Sequence, residues 1–77
     1  MWYQNDLLMV EVFKTNVTNG RQSHLLIREL LKKLPGSRIN FDLDDIDNVL
    51  RVEGQGIRPA AVIAVLTANG YQCEALQ

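Results

Sequence analysis

The sequence predicts an α+β domain with the element order βαββαβ. Three observations carry that expectation. A β-branched stretch at 8–15 is followed by a helical apolar stripe that ends in Pro35-Gly36. Two alternating segments, 38–43 and 49–53, flank a turn-rich link. A second apolar helix then runs from Pro59 to a glycine stop at Gly70 and leads into a short last strand.

In the first strand Leu8, Val10 and Val12 share one face, taken as the core side, and Met9, Glu11 and Phe13 point the other way. The turn formers Asn16 to Gly20 end it. Asn19, with Gln22 three residues on, has the spacing of a capping box. Ile27, Leu30, Leu31 and Leu34 then recur at i, i+3, i+4 and i+7, widened by Leu26, as expected of a helix lying on a core. Arg28, Glu29, Lys32 and Lys33 take its wet face. Ile39, Phe41 and Leu43 alternate with Arg38, Asn40 and Asp42, which predicts a strand with one face in water. Residues 44–48 read as a turn, and 49–53 as a third strand with Leu50 and Val52 inward. Gly54-Gln55-Gly56 is expected to be a break. Pro59 opens the second helix, whose stripe is Val62, Val65 and Leu66. A last strand follows over 71–76 with Cys73 and Ala75 inward. A right-handed crossover would bring strands one and three together in parallel, and the last unit follows the same rule. The expected whole is a ferredoxin-like two-layer sandwich. Its four-stranded antiparallel sheet has the order 4-1-3-2, with both helices on one face.

Seventy-seven residues make one domain, in which 7–76 form the body and 1–6 are expected to be a flexible N-terminus. A domain this small has a limited core, and such scaffolds often rely on a partner, so a homodimer is an expected arrangement. One cysteine, Cys73, excludes an internal disulfide and a Cys₂ or Cys₄ metal site within one chain. The net charge of −1, from eight basic and nine acidic residues, provides no field to draw in a nucleic-acid backbone. No apolar run is long enough for a membrane span, and residues 1–6 lack a basic n-region, so a cytoplasmic protein is the default expectation.

The spacing resembles the heavy-metal-associated domain of copper chaperones and metal-pumping ATPases. The residues that carry the resemblance are Leu34-Pro35-Gly36, Ile39-Asn40-Phe41-Asp42-Leu43 and Ala68-Asn69-Gly70-Tyr71. Val62 and Leu66 stand where that family places two helix isoleucines. The resemblance implies a metal loop, Met-x-Cys-x-x-Cys, whose cysteines would fall near Gly20 and Ser23. This chain has Thr18-Asn19-Gly20-Arg21-Gln22-Ser23 there, without thiolates or methionine. Capture of a soft cation depends on charged, polarizable sulfur donors, which serine and glycine do not replace. The expectation is therefore a noncatalytic domain, without cofactor, that acts through protein contacts. The alternative is a metal-ion binding or transport protein that uses His24, Cys73 or carboxylates, across a dimer.

Other candidates are weaker. The start of the first helix, with Arg21, is a candidate anion site, although nearly every helix start needs such a cap. Asp42, Asp44 and Glu53 fall on calcium-loop positions, but Ile46 and Asp47 break the pattern. Met9, Glu11 and Phe13, if on an open sheet face, form a candidate interaction surface, and Trp2 and Tyr3 are candidates to cover it. The third strand lacks the paired aromatics of an RNA-recognition motif. Arg21 and Asn40 occur without the glycine-rich loop of an acylphosphatase, so no enzyme is expected.

Overall fold

A computed structural model describes residues 8–76. The order is β1 (Leu8–Thr15), α1 (Gly20–Lys33), β2 (Arg38–Asp42), β3 (Val49–Gln55), α2 (Pro59–Ala68) and β4 (Cys73–Leu76). The strands form one antiparallel sheet in the order β2-β3-β1-β4. The first and third strands pair antiparallel, not parallel. The hairpin inserts β3 between β1 and β2, so the parallel relation created by the crossover through α1 holds between strands that do not touch.

The helix boundaries follow from local chemistry. The Asn19 side chain accepts the Gln22 N–H at 2.9 Å, and Gln22 returns its own Oε1 to the Thr18 N–H at 3.1 Å. This is a capping box displaced outward by one residue. Gly36, at φ 84°, turns the chain after α1 where a side chain would be strained. Pro59 sits in the first turn of α2, where its missing N–H costs nothing.

Both helices pack on one side of the sheet. Leu26 and Leu30 from α1 and Val62, Val65 and Leu66 from α2 meet Phe13, Leu50 and Val52. Leu31, expected in this core, is 38% exposed. The buried edge of α1 is centred on Ser23, Leu26 and Leu30, about 100° away around the helix from Leu31.

The first strand corrects the expectation most. Phe13 is fully buried, opposite Leu50. Leu8 and Val10 are exposed, opposite Gln55 and Glu53. Met9, Glu11 and Phe13 therefore face the helices, and Leu8, Val10 and Val12 face away. Apolar residues on both faces of β1 gave alternation no direction; the register with β3 decides it. Gly54 is likewise no break. It is a buried strand residue whose absent Cβ would lie 2.9 Å from Ser37 Oγ and 3.1 Å from Ile57 Cδ1. Only glycine allows that approach.

Candidate functional site

The loop between β1 and α1 is pinned from below. Thr15, 7% exposed at the end of β1, donates its hydroxyl to the Asn48 carbonyl at 2.6 Å. The same oxygen accepts the Val17 N–H at 3.2 Å, and the Asn48 amide donates to the Val17 carbonyl at 2.7 Å. Asn48 holds a left-handed backbone, φ 47°, which asparagine tolerates better than most residues. Two loops 31 to 33 residues apart in sequence are thereby locked together.

Residues 18–23 are consumed by the same economy of hydrogen bonds. Thr18, Asn19 and Gln22 make the cap, and Ser23 is buried with its hydroxyl donating to the Gly20 carbonyl at 2.9 Å. Gly20 and Arg21 are exposed. The Asn19, Gln22 and Ser23 side chains are thus engaged with backbone groups, and Thr18 and Asn19 are exposed.

His24 is exposed on α1, whereas Cys73 is half-buried on β4 and packs against the core. Burial pushes the Cys73 thiol up to about 11 from an ordinary 9.0, so it is a neutral thiol near pH 7. No group of three His, Cys, Asp or Glu side chains converges among the described residues. Of the calcium-loop candidates, Asp42 ends β2 opposite Val49 and Glu53 lies opposite Arg38. That is four residues along the ladder, or about 13 Å at the rise of a strand. The Asp42 and Asp45 carboxylates instead accept the N–H groups of Asp44 and Asp47 at 3.3 and 2.8 Å, which shapes the hairpin tip.

The helix-free face of the sheet is the surface that sequence reasoning placed on the wrong residues. Ladder positions put Leu8, Val10, Val12 and Lys14 of β1 on it. Beside them lie Leu76 and Glu74 of β4. On the other side come Gln55, Glu53 and Arg51 of β3, then Arg38, Asn40 and Asp42 of β2. Leu8 and Val10 are 53% and 56% exposed and Leu76 is 37% exposed. With half-buried Val12 they make one apolar block over β1 and β4, bordered by charges of both signs. Phe13, put forward for this surface, is instead a core residue, and Met9 and Glu11 lie on the helix-covered side. Trp2 and Tyr3 lie outside the described residues. The described positions of the open face carry no aromatic side chain on which a base would stack.

Two grooves also lie on the surface of the described residues. One, between the helices, is lined by Glu29, Lys33, Ala61, Ala64, Val65 and Ala68. The other lies between the Pro35-Gly36-Ser37 turn and the end of β3, near Arg38 and Glu53. Among the described residues no helix is long and apolar enough to cross a membrane. No protein-family model, curated protein or solved structure matches the chain.

Proposed function

We propose that the chain is a noncatalytic, ferredoxin-like domain of the heavy-metal-associated kind, without a thiolate metal site, that works by holding a protein partner on its open sheet face. One observation carries the reading: Leu8, Val10, Val12 and Leu76 stand together on that face, inside a border of Lys14, Arg51, Glu53 and Glu74. An apolar centre with a polar rim is the anatomy of a protein contact. Each square ångström of it withdrawn from water contributes about 25 cal/mol. The balanced border favours a partner that presents an apolar ridge between charges of both signs. Residues 18–23 offer no sulfur donor, and the Asn19, Gln22 and Ser23 side chains are engaged with backbone groups, which supports the reading that soft-metal capture is not the work of this turn.

A photo-crosslinking residue at Val10 tests the proposal in the native cell, with the same residue at exposed Lys32 on α1 as control. A defined adduct from position 10 alone is the expected result. No adduct, or the same adducts from both positions, overturns it. Titration with Cu(I), Zn(II), Co(II) and Ca(II) tests the metal alternative. Stoichiometric submicromolar binding lost in His24→Ala or Cys73→Ser would install that alternative instead.

A further inference from the structure

We propose that two copies of this chain join through their β2 edges, antiparallel and centred on Asn40, to make one continuous eight-stranded sheet. The inference concerns the sheet edge, not the open face, and does not depend on the function proposed above.

Among the described residues β2 is a terminal strand, with β3 on one side only. Its five residues, Arg38-Ile39-Asn40-Phe41-Asp42, contain no proline. An edge of this kind presents unpaired backbone groups, and like charges or a proline are the usual protection. Here the charges are opposite and lie at equal distances from Asn40. A two-fold axis through Asn40 sets each Arg38 against the Asp42 of the second copy, on the open face. It also sets each Ile39 against the second copy's Phe41, on the helix side. A slip of two residues sets Arg38 against Asn40 in one direction and against Asp44, in the turn beyond β2, in the other, so the pattern selects a register as well as a partner. Cross-strand pairs of opposite charge and of apolar with aromatic are the stabilising unit of a ladder. Neither Arg38 nor Asp42 is in an ion pair among the described residues.

The helix layer points to the same edge. α1 packs against β2, and the α1 flank toward α2 is marked by Glu29 and Lys33, which line the groove between the helices. Ile27, Leu31 and Leu34, at i, i+4 and i+7, lie on the opposite flank. Leu31 is 38% exposed, and Ile27, Leu34, Ile39 and Phe41 are only half-buried. Apolar surface left partly wet on both layers, along the edge beyond which the described residues place no next strand, is what a second copy would cover. The contact is small by the standard of permanent dimers, so dissociation on the order of micromolar is expected.

Sedimentation velocity across the micromolar to millimolar range should show reversible dimers of the full chain. Arg38→Glu, which sets like charges opposite each other twice, should weaken association at least about tenfold. The charge exchange Arg38→Asp with Asp42→Arg should restore it. Melting curves confirm that each variant folds, since Asp42 also caps the hairpin turn and Arg38 lies opposite Glu53 of β3 in its own copy. If the exchange fails to fold, Asn40→Cys in a Cys73→Ser background gives a second reading. Paired residues at the axis lie about 4.5–5.5 Å apart at Cα, within disulfide reach, so oxidation should yield a covalent dimer. A protein that stays monomeric at every concentration overturns the proposal, and so does a dimer untouched by Arg38→Glu. Either result leaves the crosslinking test at Val10 unaffected.

Discussion

Replacing Thr15 by valine removes one oxygen and almost nothing else. The side chain keeps its shape and its place, 7% exposed between β1 and the loops above it. Two backbone groups lose their partner. The Val17 N–H, on a fully buried residue, has Thr15 Oγ1 as its acceptor at 3.2 Å. An orphaned buried donor costs about 1–3 kcal/mol. The Asn48 carbonyl loses a 2.6 Å donor but is on a half-buried residue that water can reach, so only the net worth of a hydrogen bond, about 0.5–1.5 kcal/mol, is lost there. The sum is about 1.5–4.5 kcal/mol. A domain of this size holds about 4–12 kcal/mol in total. Thr15→Val should therefore lower the melting temperature by roughly 6–36 °C. Thr15→Ser, which keeps the oxygen and drops a methyl, should cost only about 1 kcal/mol. Urea melts read the free energies, and amide exchange at Val17 reads the site. A valine variant within about 0.5 kcal/mol of the parent, with Val17 still protected, would refute the reasoning, because the hydroxyl would then hold nothing together.

Other substitutions test other parts of the structure. Phe13→Ala should cost about 3–5 kcal/mol, whereas Val10→Thr, three residues away on the other face, should stay within about 0.5 kcal/mol in the same urea melts. Gly54→Ala meets Ser37 Oγ at 2.9 Å and Ile57 Cδ1 at 3.1 Å. It should destabilise by about 1–2 kcal/mol after the gain in the unfolded chain, and Ser37→Ala in the double variant should recover part of that. At pH 8 the Cys73 thiol, raised from 9.0 to about 11, should alkylate roughly 100-fold more slowly in the folded chain than in urea. Its raised value also means that the folded state holds this proton longer than the unfolded state. The associated stability is full below pH 9 and is lost as pH climbs toward 11, which melts at pH 8 and 10.5 would detect.

How much of the chain is legible in its sequence depends on how far apart the deciding residues lie. Asn19, Pro35-Gly36, Pro59 and Gly70 mark their helix ends because each acts on backbone within a turn of itself. Ile39, Phe41, Leu50 and Val52 declare their face because charged or amide neighbours alternate with them. The run Leu8-Met9-Val10-Glu11-Val12-Phe13 offers no such contrast, and its one charge, Glu11, lies on the helix-covered side opposite Val52. Register sets that face: Phe13 meets Leu50 on one flank and Ala75 on the other. The open-face block was illegible for the same reason, since β4 adds Leu76 beside Val12 from 64 positions away. The Thr15–Asn48–Val17 lock joins loops about 30 residues apart, and no local pattern announces it.

That lock bears on what the turn before α1 is able to do. A ligand loop must keep polar atoms free to turn outward when a guest arrives, and such freedom comes from backbone that is not already committed. Here the base of the turn is fastened to the β2–β3 loop through Thr15 and Asn48, and Asn16 Oδ1 accepts the Gln72 N–H at 2.8 Å from the approach to β4. The top is fastened by the crossed bonds of Thr18, Asn19 and Gln22 and by Ser23 on Gly20. A guest that displaced any of these bonds would lose about 0.5–1.5 kcal/mol for each and would have to supply replacements. The open face requires no such exchange. Its apolar block is held by β1 and β4 and is already exposed, so a partner gains by removing water without disturbing a hydrogen bond of the fold. Between a fastened turn and a sheet face that no described residue covers, the smaller cost of reorganisation falls on the sheet.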